Sequence, residues 1–198
     1  MTTDELHAIL RADVLAGAQA LLGSTLRLGE LSARIVETEA YRASDDPASH
    51  AFRGRTPRNW PMYLDAGLAY VYFNYGVHWM LNVTAHVEED AAAVLIRAAE
   101  PLTGLAEMQR RRKIEAPRSL LSGPGKLAQA FGLDGTMNGL NLLYPTGDEA
   151  LRLEPPERPV AWTATLRIGL APGKGDLHPW RYVETERSAW ASRRVPAS

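Results

Sequence analysis

Polar and apolar residues alternate most regularly in two stretches, residues 34–41 (RIVETEAY) and 68–82 (LAYVYFNYGVHWMLN). In an extended chain, residues two apart project from the same face. The first stretch therefore puts Glu37, Glu39 and Tyr41 on one side of a strand, with Val36, Thr38 and Ala40 on the other. The second predicts a hairpin with strands over 68–73 and 77–85 and a turn at Asn74-Tyr75-Gly76. That turn carries a large ring at its tip, where small polar residues are usual. A tyrosine so placed is suited to inserting into something.

Elsewhere the pattern shifts between helix and strand periods. Asp13 caps an amphipathic run, VLAGAQALLG, that predicts a helix ending at Gly23. Residues 25–28 and 31–41 read as strands joined by Gly29-Glu30, and 42–58 as a long loop broken by Pro47, Gly54 and Pro57. Loops of that length inside a compact domain are usually functional or disordered. The apolar run 91–98 (AAAVLIRA) predicts a buried strand interrupted by Arg97, and a buried arginine calls for an anionic partner. A helix is expected over 101–113, and a second one opens after the loop at 122–127 (SGPGKL). Residues 134–159 read as an irregular excursion and 160–170 as a strand. Gly173 to Gly175 turn the chain, 180–183 form a last short strand, and the tail frays from Arg193. The fold expected is α+β: one mixed domain over 1–198, a curved antiparallel sheet with surrounding helices and a protruding hairpin.

Composition narrows the classes of function. With 198 residues, 45% of them hydrophobic and 23% charged, the chain suits one globular domain. No apolar run reaches about 18 residues, so no membrane-spanning helix and no membrane partner is expected. The acidic N-terminal MTTDELHAILRADV does not read as a secretory signal. Cysteine is absent, which excludes disulfides, thiolate metal sites and a cysteine nucleophile. A cytoplasmic location, the bacterial nucleoid or otherwise a nucleus, is expected. The net charge of −1 gives no global sign of a nucleic-acid partner. Locally, Arg53, Arg55 and Arg58 cluster, as do Arg110, Arg111, Arg112 and Lys113, and either group also reads as a solvated face.

Several chemistries can be weighed on spacing. Asp45, Asp46 and His50 match no metal-ligand pattern, so neither metal nor cofactor is expected. There is no nucleophile elbow and no P-loop. Glu37 and Glu39 resemble the carboxylate pair of a glycosidase, yet same-face neighbours about 7 Å apart on one strand cannot flank a sugar from both sides. The loop at Ser122 to Lys126 offers helix N-terminal amides beside a lysine, a phosphate site in principle, although on spacing alone a simple cap is favoured. Together Glu39, Arg97, His50, Tyr41, Tyr70, Tyr72 and the hairpin tip suggest a pocket that holds a flat base between rings, with an acid nearby to handle water.

The ordered segments ARIVETEAY, His50 ahead of RGRTPRN, AYVYFNYGVHWMLNV, VLIRAAEPLTG and SGPGKLAQA closely resemble the alkyladenine (3-methyladenine) DNA glycosylase family, over roughly residues 13 to 185. The resemblance implies a monofunctional base-excision-repair enzyme that acts as a monomer on double-stranded DNA containing damaged purines. It implies Glu39 as general base, with Arg97 and the Ile168 carbonyl also holding the water. It implies a base pocket of Tyr41, Tyr72 and His50, with Ser49 and His50 backbone at the base edge and Asn82 excluding the guanine 2-amino group. Tyr75 would fill the gap in the stack, and Arg55, Arg58, Ser122, Gly125 and Lys126 would bind phosphate. At Gly125 some relatives would carry a small hydroxyl residue. A non-catalytic module for damaged DNA remains the alternative, and a carbohydrate hydrolase using Glu37 and Glu39 the third reading.

Overall fold

The computed structural model describes residues 1–87 and 90–193. Its frame is a curled antiparallel sheet whose strands are β1 (Thr25–Leu28), β2 (Leu31–Arg42), β3 (Ala69–Asn74), β4 (His78–Val87), β5 (Asp90–Thr103), β6 (Arg152–Glu154), β7 (Trp162–Thr165) and β8 (Arg181–Glu184). The order is β3-β4-β5-β2-β1-β6, with β8 also paired to β2 and β7 to β8. The helices are α1 (Thr3–Ala12), α2 (Val14–Ala20), α3 (Leu105–Arg112), α4 (Pro117–Leu120) and α5 (Pro124–Phe131). The expected α+β class holds.

β2 organises the sheet because it is long and buried on both faces. Ala33, Ile35 and Ala40 join the main core with Leu6, Leu10, Val14, Ala18, Leu127 and Phe131 from the helices. Thr38, on that same face, gives its hydroxyl to the Ala18 carbonyl. Glu37, Glu39 and Tyr41 face the opposite, concave side, as the alternation requires. There a smaller cluster of Ala51, Met62, Tyr70, Ala91 and Ala93 lies under the 42–66 segment.

The β2–β5 ladder is offset twice. Ile35 pairs with Ala99, Glu37 with Ala98 and Thr38 with Ile96, so Val36 and Arg97 fall outside the one-to-one register. Such bulges bend strands and re-aim side chains, often beside active sites. Here the offset brings Arg97 onto the concave face, opposite Glu37 and Glu39.

Four expectations are corrected. Residues 3–12 form a helix that was not foreseen, closed by a capping box in which Thr2 and Glu5 exchange hydrogen bonds of 2.7 and 3.1 Å. The strand begun at Ala91 runs on through Pro101 to Thr103, and the helix starts only at Leu105. Gly104 makes that turn with φ 75°, where a Cβ would stand 2.4 Å from the Leu31 side chain. The strand expected over 160–170 is confined to Trp162–Thr165. In the hairpin, Asn74 belongs to β3, and the turn closes through the Val77 amide on the Asn74 carbonyl at 3.0 Å. The frayed tail falls mainly on residues 194–198, outside the described residues.

Candidate active site

A cavity of about 270 Å³ opens on the concave face. Its walls include Tyr41, His50, Tyr72, Asn82, Arg97 and Ile168, brought from β2, the 42–66 segment, β3, β4, β5 and the loop after β7. The size is slightly below the roughly 300–1,000 Å³ of drug-sized ligand sites, as suits a single heterocycle.

Glu39 is fully buried and lies just behind this wall. Its Oε2 accepts the Tyr41 hydroxyl at 2.7 Å and Arg97 Nη1 at 3.3 Å, and its Oε1 accepts the Ile168 amide at 2.7 Å. Burial pushes its carboxyl above the usual range, while Arg97, the Ile168 amide and Tyr41 oppose the shift. Ile168 thus touches Glu39 through its N–H, a contact the resemblance did not supply. Tyr41 is pushed well up by burial and by the Glu39 charge, so it stays a neutral phenol and a donor.

The aromatic walls are fixed from several directions. His50 Nδ1 lies 2.8 Å from the Tyr70 hydroxyl, and its ring meets Tyr72 edge-on with centroids 4.6 Å apart. Desolvation of the ring, with the Arg58 charge nearby, lowers His50 to about 4, so it is neutral at pH 7. Desolvation likewise raises Tyr72 to about 12. Asn82 gives its side-chain amide to the Tyr70 carbonyl at 3.0 Å. Ser49 is buried beside the cavity without lining it, and its backbone N–H and C=O serve Asp46 and Phe52 within the loop.

Tyr75 is 91% exposed and has φ 50°, an uncommon conformation for a bulky residue. Arg58 lays its guanidinium 4.7 Å from the Tyr72 ring centre and donates to the Phe73 carbonyl, while Arg55 lies 5.9 Å from the Tyr63 ring. Lys126 donates to Ser122 at 3.1 Å at the start of α5, whose first residue, Pro124, reaches the cavity. Gly125 is explained locally, since a Cβ there would meet the His78 ring at 2.8 Å.

Sequence reasoning missed the ion pairs that fasten these pieces. Asp46 and Arg167, both fully buried, form a bidentate pair at 2.6 and 2.7 Å. Arg167 also serves the carbonyls of Ala40 and Gly175 and lies 4.6 Å from the Tyr41 ring centre. Glu37, also fully buried, accepts Arg181 Nε at 2.6 Å. The basic run of α3 is mostly engaged internally: Arg110 and Arg111 pair with Glu107, and Arg111 and Arg112 donate to carbonyls of Phe131 and Leu120. No cluster able to hold a metal occurs among the described residues.

A model of the methylpurine-DNA glycosylase (MPG) family matches residues 8–188. The chain belongs to that family. It is therefore a DNA glycosylase, a hydrolase of N-glycosidic bonds in the base-excision repair of damaged DNA. A protein of Rhodopseudomonas palustris is 47% identical over 165 residues, 83% of this chain and 77% of its own length. One of Agrobacterium fabrum is 43% identical over 188 residues, 95% of this chain and 92% of its own. Both carry the name "Putative 3-methyladenine DNA glycosylase". Among the described residues no helix is long and apolar enough to cross a membrane.

Proposed function

We propose that this glycosylase excises alkylated purines flipped out of duplex DNA, with Glu39 activating the attacking water. One observation carries the reading. Glu39 is sealed behind the cavity, and the groups bonded to it belong to Tyr41, Arg97 and Ile168, which all line that cavity. A base held between Tyr41, Tyr72 and His50 would place its sugar C1′ toward this cluster.

The water oxygen bonds to C1′ as the bond from C1′ to the purine nitrogen breaks, and its electron pair leaves with the base. The water's proton passes to Glu39. A carboxylate has about four lone-pair sites, and the three donors on Glu39 leave capacity for a water O–H. The same anion stabilises positive charge growing on the sugar, an effect that is strong in a dry site. Arg97 keeps Glu39 oriented and lowers its affinity for a proton.

The leaving group decides the substrate class. Among the described residues lining the cavity there is no carboxylic acid, and His50 is neutral. This favours purines made cationic by alkylation, which depart without protonation, over neutral ones such as hypoxanthine. Flipping costs a few kcal/mol, less for a damaged base. Tyr75 would offset part of it by filling the gap, base–aromatic stacking being worth about 1–3 kcal/mol. Its left-handed backbone supports that role, since strained conformations persist where function uses them.

The test is excision from duplexes carrying one 7-methylguanine or one hypoxanthine, followed by alkali. Strand cleavage at the lesion is expected, faster for the cationic base. No abasic product from any alkylated or deaminated purine would overturn the reading.

A further inference from the structure

Glu37 has no place in the mechanism above, yet it is a fully buried carboxylate beside it. Its Oε1 accepts Arg181 Nε at 2.6 Å, the Ser192 hydroxyl at 2.8 Å and Arg97 Nε at 3.3 Å. Its Oε2 accepts the Ser192 amide at 2.5 Å. Arg97 is divided: Nε faces Glu37, Nη1 faces Glu39 at 3.3 Å and Nη2 faces the Ser192 hydroxyl at 3.4 Å. Arg181 in turn donates to the Thr165 hydroxyl and the Arg193 carbonyl. Strands β2, β5 and β8 and the segment at Ser192 thus meet at one carboxylate.

We propose that Glu37 is a positioning residue for the hydrolysis. It holds the Arg97 guanidinium astride the two carboxylates, so that Glu39 receives one N–H of Arg97 rather than a bidentate clamp, and keeps a lone pair for water. Arg181 sets how strongly Glu37 draws on Arg97. The inference rests on Glu39 being the base.

The charge count explains the arrangement. Two buried carboxylates face two guanidiniums, Arg97 and Arg181. The charged and titratable groups around Glu39 are Glu37 and Tyr41 from β2, Tyr72 from β3, Arg97 from β5, Arg181 opposite it on β8 and, behind the Tyr41 ring, Arg167 from the loop after β7. Neutralising Glu37 leaves both cations to one anion, and Arg97 can close on Glu39. Neutralising Arg181 does the reverse, leaving two anions to share Arg97. The two changes shift the proton affinity of Glu39 in opposite directions.

Glu37→Gln and Arg181→Gln, with folding checked by thermal melting, are assayed by single-turnover excision of 7-methylguanine from duplex DNA across pH. The acidic limb of the rate profile should move to lower pH in Glu37→Gln and to higher pH in Arg181→Gln, each by about one pH unit, the low end for a lost charge neighbour. Glu37→Gln should also slow the step at its plateau with little change in duplex affinity. A merely structural Glu37 would lower melting temperature or rate and leave both limbs in place, and that result overturns the proposal. Each variant carries its own predicted sign, so one that folds is sufficient. Glu39→Gln is run alongside: if it remains active, the base assignment fails. If it is inactive and the limbs do not move, the Glu37 proposal alone fails.

Discussion

Replacing Arg167 with Met should be among the most damaging changes outside the proposed catalytic cluster. The side chain carries a bidentate pair to Asp46, with both residues fully buried, and donates to the carbonyls of Ala40 and Gly175 at 2.9 Å each. Arg167→Met leaves the Asp46 carboxylate without its countercharge. Breaking a buried pair from one side costs about 3–5 kcal/mol. For a chain of this size each kcal/mol lowers the melting temperature by about 2–4 °C, so a drop on the order of 10 °C is expected. The pair fastens the loop bearing His50 to the segment bearing Ile168, so single-turnover excision should slow as well, even well below the new melting point. The double variant Asp46→Leu with Arg167→Met removes both charges and should recover more than half of the stability, since apolar replacements of buried pairs are often neutral. Calorimetry and a rate measurement on the three proteins decide the matter. A single variant within about 1 kcal/mol of the parent, a typical value for an exposed pair, would refute the reasoning.

Other outcomes follow from the same geometry. Gly125→Ser should destabilise the protein by about 1–3 kcal/mol through overpacking, because the new Cβ would stand 2.8 Å from His78 Cγ; chemical denaturation reads this, and a neutral result would mean that His78 moves freely. His50 should titrate near 4 by NMR; because it is neutral in the fold while an unfolded histidine protonates near 6.5, stability is full above about 6.5 and is lost as pH falls toward 4, a slope that His50→Gln should flatten. Tyr75→Ala should weaken binding to an abasic duplex by about 5- to 100-fold, the loss of one stacked ring, and binding to a single strand far less; equal losses would contradict the plug role.

Much of the candidate site's geometry is legible because it lies on regular elements. The two-residue alternation of β2 placed Glu37, Glu39 and Tyr41 on one face, and the hairpin pattern located Tyr75 within a residue of its observed turn. The illegible parts are those set by distant partners. Arg167 pairs with Asp46 across 121 positions, and Arg181 with Glu37 across 144. No local pattern announces either contact. The alternation after Thr165 is broken because Arg167 is drawn inward to Asp46, ending the strand early. Pro101 looked like the start of a helix, but it sits opposite Ala33 beside an irregularity in the ladder, at a stretch of β5 with no partner described on its other side, where its missing N–H is tolerated. The helix at residues 3–12 does carry a sequence signature, Thr2 followed three residues later by Glu5, which forms its capping box.

The central claim is that Glu39 performs the chemistry from behind the cavity. Glu39→Gln keeps the shape and one acceptor oxygen, which can serve the Ile168 amide or the Tyr41 and Arg97 donors but not both, and it removes the base and its charge. Single-turnover excision of 7-methylguanine from duplex DNA should fall by at least about 10²–10⁴-fold, the usual worth of a positioned base, while affinity for the lesion duplex is unchanged. Excision within a few-fold of the parent, in a protein that still binds the duplex, would contradict the account.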